Sequence, residues 1–252
     1  MMNTTTNTAT ISSRILAPVM AENISELRAS VPGRNSKMGN IPSFSVLPGM
    51  HTRLKNGDKV TDVTGTCREA LKCGRCDMHC YAVRLIKRYP STAVAYARNT
   101  RLLREAPETL RRQILAAIDY HARPLFRFHV SGELETWMQA FLYNDIAAAR
   151  PEVSFAIWTH CEPREFFPAN IAPNLHILRS VDHFPTPYNV DYAKMCGHGL
   201  FVYDDGTDER MQALPHCPNV TKDGHHVSAI TCDKCRKCWN LKAGEIMAVY
   251  AH

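Results

Sequence analysis

Four cysteines fall within fourteen residues, in the run Cys67-Arg-Glu-Ala-Leu-Lys-Cys73-Gly-Arg-Cys76-Asp-Met-His-Cys80. Thiols at this density are poor packing units and good ligands. The chemistries open to them are a zinc site, an iron–sulfur cluster or a disulfide knot. The first ten residues, Met-Met-Asn-Thr-Thr-Thr-Asn-Thr-Ala-Thr, lack the basic-then-apolar pattern of a secretory signal. No run approaches the ~18 apolar residues of a membrane span. These features predict a cytoplasmic chain with no membrane partner. In that reducing compartment ten cysteines serve metals or catalysis rather than disulfides.

A second thiol group lies near the other end: Cys217, then Cys232, Cys235 and Cys238 in a C-x2-C-x2-C run. Between the two groups the pattern alternates strands with helices. Leu110, Ile114 and Ile118 repeat every fourth residue, which marks a buried helical stripe. Val83, Ile86 and Tyr89 suggest a shorter stripe on the helix before it, with Pro90 ending that helix and Ser91 capping the next. Strands are expected at Leu125–Val130, Val153–Thr159, Leu175–Val181 and Leu200–Tyr203, with an edge strand near Ser43–Leu47. A helix follows the first of these, with Trp137–Phe141 and Met138–Leu142–Ile146 as its apolar pairs, and Asn56-Gly57-Asp58 reads as a turn.

Right-handed crossovers then give an α/β fold, either a partial (β/α) barrel or an open, mostly parallel sheet. A small irregular cysteine-rich C-terminal subdomain completes it. The expected organisation is a flexible or adaptor-like segment at 1–35, an α/β core at 36–206 and a metal-binding subdomain at 207–252. In such folds ligands sit beyond the carboxyl ends of the strands. The residues there are His129, Ser131, Glu133, Thr159, His160, Ser180 and Asp182. Ser131 is equally a helix N-cap, and Glu133 a favourable first-turn residue. Cys161 and Cys196 stand alone and read as small buried hydrophobes.

The last three thiols of the first group, Cys73, Cys76 and Cys80, suffice to hold three irons of a [4Fe-4S] cluster and leave one iron open. Cys67 as a fourth ligand closes the site, and a zinc tetrahedron uses the same four side chains. Cys217, Cys232, Cys235 and Cys238 fit a second iron–sulfur cluster or zinc. The net charge of +6, much of it between Arg68 and Arg112, allows a nucleic-acid partner. The same residues also serve as solvated helix faces.

Asn35-Ser-Lys-Met-Gly-Asn40, Ser43-Phe-Ser45, Cys80-Tyr-Ala82, Phe126–Val130 with Ser131-Gly132-Glu133, and the run Cys232–Trp239 together resemble the phage gene product 88 family over about residues 35–240. That resemblance implies a phage or mobile-element origin, hence a host cytoplasm, and a cysteine-bound metal centre. It supplies no reaction. More distantly, the layout resembles radical SAM enzymes, with a cysteine triad before a partial barrel and a Gly-Gly-Glu-like motif at the next strand end. This likeness implies that Ser131, Gly132, Glu133 and Tyr81 hold S-adenosylmethionine, with Glu133 accepting its ammonium, and that the chain is an enzyme with an unknown substrate. The spacing here is C-x2-C-x3-C, against C-x3-C-x2-C in those enzymes. Tyr81 follows the last cysteine rather than an aromatic preceding it. The alternative expectation is a non-enzymatic, metal-stapled protein that binds host nucleic acid or a host protein.

Overall fold

The computed structural model describes residues 9–12, 19–49, 51–56, 59–67 and 80–251. Its strands are β1 (Ala9–Ser12), β2 (Ser43–Phe44), β3 (His51–Asn56), β4 (Lys59–Thr64), β5 (Leu125–Phe128), β6 (Ser154–Thr159), β7 (Leu175–Val181), β8 (Gly199–Asp204) and β9 (Ile246–Tyr250). Its α-helices are α1 (Tyr81–Arg88), α2 (Pro90–Glu105), α3 (Pro107–His121), α4 (Trp137–Ala148), α5 (Pro163–Phe166), α6 (Pro187–Cys196) and α7 (Cys232–Cys235).

Six strands form one parallel sheet in the order β2-β5-β6-β7-β8-β9. From β5 to β9 the spatial order is the sequence order. With right-handed crossovers, such an order places every connecting helix on one face. Side-chain burial agrees. Phe126, Phe128, Phe155, Ile157, Leu175 and Ile177 pack with residues of α2, α3 and α4 in the main core. Val181, Leu200, Val202 and Ala248 pack against Ala193 and Val190 of α6. The opposite face carries Leu125, Ala156, Trp158, Leu178 and Phe201. It is covered by Met38, Ile41, Trp239 and Leu241 from the N-terminal lead and the C-terminal cysteine-rich stretch. The sheet is open and does not close into a barrel. The smaller sheet, β1-β3-β4, pairs β1 with β3 in parallel and β3 with β4 antiparallel.

Local sequence accounts for the helices. Proline stands at the first position of α2, α3, α5 and α6, where its missing N–H costs nothing. Leu110, Ile114 and Ile118 of α3 are all buried as the four-residue repeat predicts. Each contributes roughly 1.5–3 kcal/mol, as an upper figure for area removed from water. Thr186 and Asn189 close a capping box on α6. Val83 and Ile86 are buried, but Tyr89 is exposed and occupies the N-cap of α2, with Ser91 inside that helix. Trp137, Met138 and Phe141 of α4 are exposed, and the Trp137 and Phe141 rings meet edge to face at 5.3 Å between centroids, as the expected pairing has it. The buried face is instead Ala140, Leu142, Tyr143, Ile146 and Ala147. That helix is apolar on both faces, so periodicity alone does not select the inner one. β9 lies within the stretch read as an irregular subdomain, yet pairs in parallel with β8 along its length. The expected turn centred on Gly57-Asp58 lies outside the described residues, although Asn56 and Lys59 pair across it.

Several side chains of α2 and α3 tie down the N-terminal lead, among them Arg101, Gln113 and the buried Asn99. Asn99 of α2 donates to Ser30 O at 2.9 Å and Ser45 O at 2.8 Å, and accepts from Ser30 N at 2.8 Å. Thr100 beside it accepts from Leu47 N at 2.9 Å. The segment 43–47 is thereby fixed alongside the end of β5.

Candidate metal centre at the carboxyl edge of the sheet

Beyond β5 the backbone makes two sharp changes. His129 adopts φ 52°, a left-handed conformation that histidine tolerates better than most residues. This turns its ring into the core. Nε2 lies 2.8 Å from Tyr143 Oη, and burial with the nearby Arg127 charge pushes the imidazole pKa down to about 3. Gly132 follows at φ 85°, packed so closely that a Cβ there would press into Val46 and sit 2.7 Å from Thr66 Oγ1. Only glycine meets both demands. Ser131 donates its hydroxyl to Val46 O at 3.1 Å.

These turns deliver Glu133 into a buried position, 2% exposed, where every neighbour that touches its carboxylate donates. Oε1 accepts from Thr159 Oγ1 at 2.6 Å and Leu134 N at 2.8 Å, and Oε2 accepts from His160 N at 2.7 Å. Glu133 N donates to Thr66 Oγ1 at 2.9 Å, and Thr66 donates in turn to Leu47 O at 2.9 Å. Burial pushes the Glu133 pKa up, while these hydrogen bonds pull it back. A carboxylate has about four acceptor sites. Among the described residues three donors use them, two on Oε1 and one on Oε2.

Thr66 leads directly into Cys67, whose N–H donates to Gly49 O at 3.1 Å. Burial pushes the Cys67 thiol up to about 12, and the charges of Glu133 and Cys80 add to that rise. Cys67 therefore lies within electrostatic reach of both Glu133 and Cys80. Cys80 is the N-cap residue of α1. Its neighbour Tyr81 donates its hydroxyl to Val130 O, fixing the start of that helix on the end of β5. Arg84, one turn on, acts electrostatically on Tyr203 of β8, together with Asp182 and Asp205. Cys67, Cys80, Tyr81, Ser131, Gly132 and Glu133 are thus gathered at one edge. Cys73 and Cys76 lie outside the described residues. Thr159 and His160 serve this edge by holding Glu133. Cys161 is buried, as expected of a lone thiol, and donates to Leu134 O at 3.4 Å.

Two residues of this clasp escaped the sequence reading. Thr66 and Val46 are separated from Glu133 by dozens of positions, and neither carries a motif. The nearest signal was the unusual Gly132 between two polar residues.

On the sheet's other face the second thiol group also comes together. Cys238 is pushed up to about 12 by burial, with Cys217, Cys232 and Cys235 adding. Cys232 N donates to Lys37 O at 3.2 Å, and Cys217 N to Ala248 O at 2.8 Å. Among the described residues, no three Cys, His, Asp or Glu side chains stand ready-arranged around a metal position. Of the first group's described thiols Cys67 is buried and Cys80 partly buried, and the four thiols of the second group are partly buried.

The fold and this edge define a class: open, singly wound parallel α/β proteins with a thiol-rich C-terminal stretch packed on the sheet. Within it the chain belongs to the Gene product 88 family, a phage family whose model matches residues 24–241. No curated protein and no solved structure matches the chain. None of these comparisons connects it to radical SAM enzymes. Among the described residues, no helix is long and apolar enough to cross a membrane.

Proposed function

We propose that the Cys67–Cys80 stretch holds an iron–sulfur cluster at the carboxyl edge of the sheet, and that S-adenosylmethionine binds beside it. The observation that carries this reading is the convergence of Cys67, Cys80 and Glu133 at the end of β5. Cys73, Cys76 and Cys80 are the assigned ligands, with Cys67 the alternate. A cluster held by these thiols would supply one-electron chemistry, with an external donor, for the reductive cleavage of S-adenosylmethionine.

The chain's own residues orient the ligand. Thr159, Leu134 and His160 hold the Glu133 carboxylate in one rotamer, and Oε2, which accepts one of these three bonds, would take the ammonium. Tyr81 keeps the first turn of α1 against the strand end, so Cys80 and Glu133 stay in fixed relation.

One observation favours a second reading. Cys67 is buried within electrostatic reach of Cys80 and Glu133, a suitable place for a fourth ligand. A four-thiol site is closed, and the chain is then a metal-stapled binding protein whose basic helices contact nucleic acid or another protein.

Anaerobic purification separates the two. The first reading predicts a brown protein whose spectrum changes on adding S-adenosylmethionine, and a cluster that survives Cys67→Ala but not Cys80→Ala. Equal loss from both variants, with no response to S-adenosylmethionine and with salt-sensitive binding to DNA or RNA, establishes the closed site instead. A colourless protein holding zinc at this stretch overturns the iron reading.

A further inference from the structure

The first two turns of α4 point aromatic and thioether side chains outward. Trp137, Met138 and Phe141 are 56%, 60% and 41% exposed, while the other side of the helix packs in the main core. The Trp137 and Phe141 rings meet edge to face at 5.3 Å between centroids, so each steadies the other. At roughly 200 Å² per large side chain, the three together present about 300 Å² of apolar surface. Patches of that size on a single chain often carry function. Beside Met138, a groove of about 440 Å³ runs between α4 and the junction of α2 with α3. Leu103, Pro107 and Leu142 give it apolar walls. Arg104 and Glu135, paired at 2.6 Å, also line it.

We infer that this face is a two-fold interface between two copies of the chain. Projecting rings and an apolar groove stand side by side on one surface, so each copy offers both the knob and the hole that the other needs. A two-fold contact requires that self-complementarity, because residue i meets j while j meets i. The charges agree. Arg104 and Glu135 put one cation and one anion at the rim, so a second copy brings no unbalanced charge to them. Asp145, exposed one turn beyond Phe141, ends the apolar stripe. The area also suits a dimer. A stable pair buries about 800 Å² on each partner, with an apolar centre and a polar rim. The exposed patch and the groove walls form that centre. Tryptophan is among the side chains that most often anchor such contacts. Arg104 also donates to Gly65 O at 3.3 Å, next to Thr66, so the interface borders the Glu133 clasp. It does not depend on the cluster proposed at that edge.

Sedimentation equilibrium of the full chain over a wide concentration range tests the interface. Wild type is expected to form a dimer that dissociates on dilution. Trp137→Ser and Met138→Glu alter side chains already in solvent, and circular dichroism checks that each variant is folded. Each is expected to weaken self-association at least about 30-fold, the loss typical of a central anchor. Tyr120→Ser removes a ring that is 84% exposed at the other end of α3, about 20 Å along the helix from Pro107. It is expected to leave the dimer intact. Hydrogen exchange gives a second readout. Amides in the first two turns of α4 and at the α2–α3 junction should exchange more slowly in the wild-type dimer than in Trp137→Ser. Wild type that is monomeric at every concentration overturns the interface. A dimer that Trp137→Ser and Met138→Glu leave at full strength overturns it too. Equal weakening by Tyr120→Ser shows general association through exposed rings and also overturns it.

Discussion

Replacing Glu133 by glutamine changes one atom's hydrogen-bonding character and almost nothing in volume. The carboxylate accepts from Thr159 Oγ1, Leu134 N and His160 N at 2.6, 2.8 and 2.7 Å. The amide has one oxygen and one NH2. With NH2 at the Oε1 position, Thr159 can rotate its hydroxyl and accept, but Leu134 N faces another donor. With NH2 at the Oε2 position, His160 N does so. In either orientation one buried backbone N–H loses its acceptor, at about 1–3 kcal/mol, and the remaining bonds lose their charge assistance. Relief of the buried charge offsets part of this. The expected net loss is about 2 kcal/mol. For a chain of this size that corresponds to a fall in Tm of roughly 4–8 °C. Thermal unfolding followed by circular dichroism at neutral pH measures it. An unchanged Tm in Glu133→Gln would refute the account of a carboxylate clamped by three donors.

Gly132→Ala should lose more, at least about 2 kcal/mol, because it adds both left-handed strain and a clash with Val46 and Thr66. Denaturant midpoints compare it with wild type, and an equal midpoint contradicts the packing. Asn99→Ala leaves the Ser30 and Ser45 carbonyls and Ser30 N without their partner and should cost about 2–3 kcal/mol. It should also speed proteolysis in the segment before residue 43. His129 is held neutral in the fold, with its pKa near 3 against an ordinary 6.5. Its contribution is therefore full above pH 6.5 and lost as pH falls toward 3. His129→Gln should flatten the decline in unfolding free energy between pH 7 and pH 4, and an unaltered slope counts against a buried neutral ring.

The parallel strands were legible wherever apolar runs ended in turn residues. Leu175–Val181 matches its expected bounds, and the α3 stripe is buried as its spacing requires. β9 was not legible, because Ile246–Tyr250 follows a thiol run that draws attention to metal binding and is short enough to read as a tail. Only its pairing with β8 reveals it. The inner face of α4 was not legible, because exposed Trp137, Met138 and Phe141 carry the same apolar signal as the buried side. At the candidate site, Glu133 was identifiable as a strand-end carboxylate. Thr159 and His160 were on the same strand-end list, but Thr66 and Val46 were not legible, since they reach this turn only through long-range packing against the end of β5.

The central claim, an iron–sulfur cluster held at the edge where Cys67, Cys80 and Glu133 meet, is tested most directly by iron and acid-labile sulfide analysis. Wild type and Cys80→Ala are purified anaerobically side by side. The account predicts that Cys80→Ala loses about four irons and four sulfides per chain relative to wild type, the content of one cubane cluster. Equal iron and sulfide in the two proteins would contradict it, as would wild-type protein that carries zinc and no sulfide.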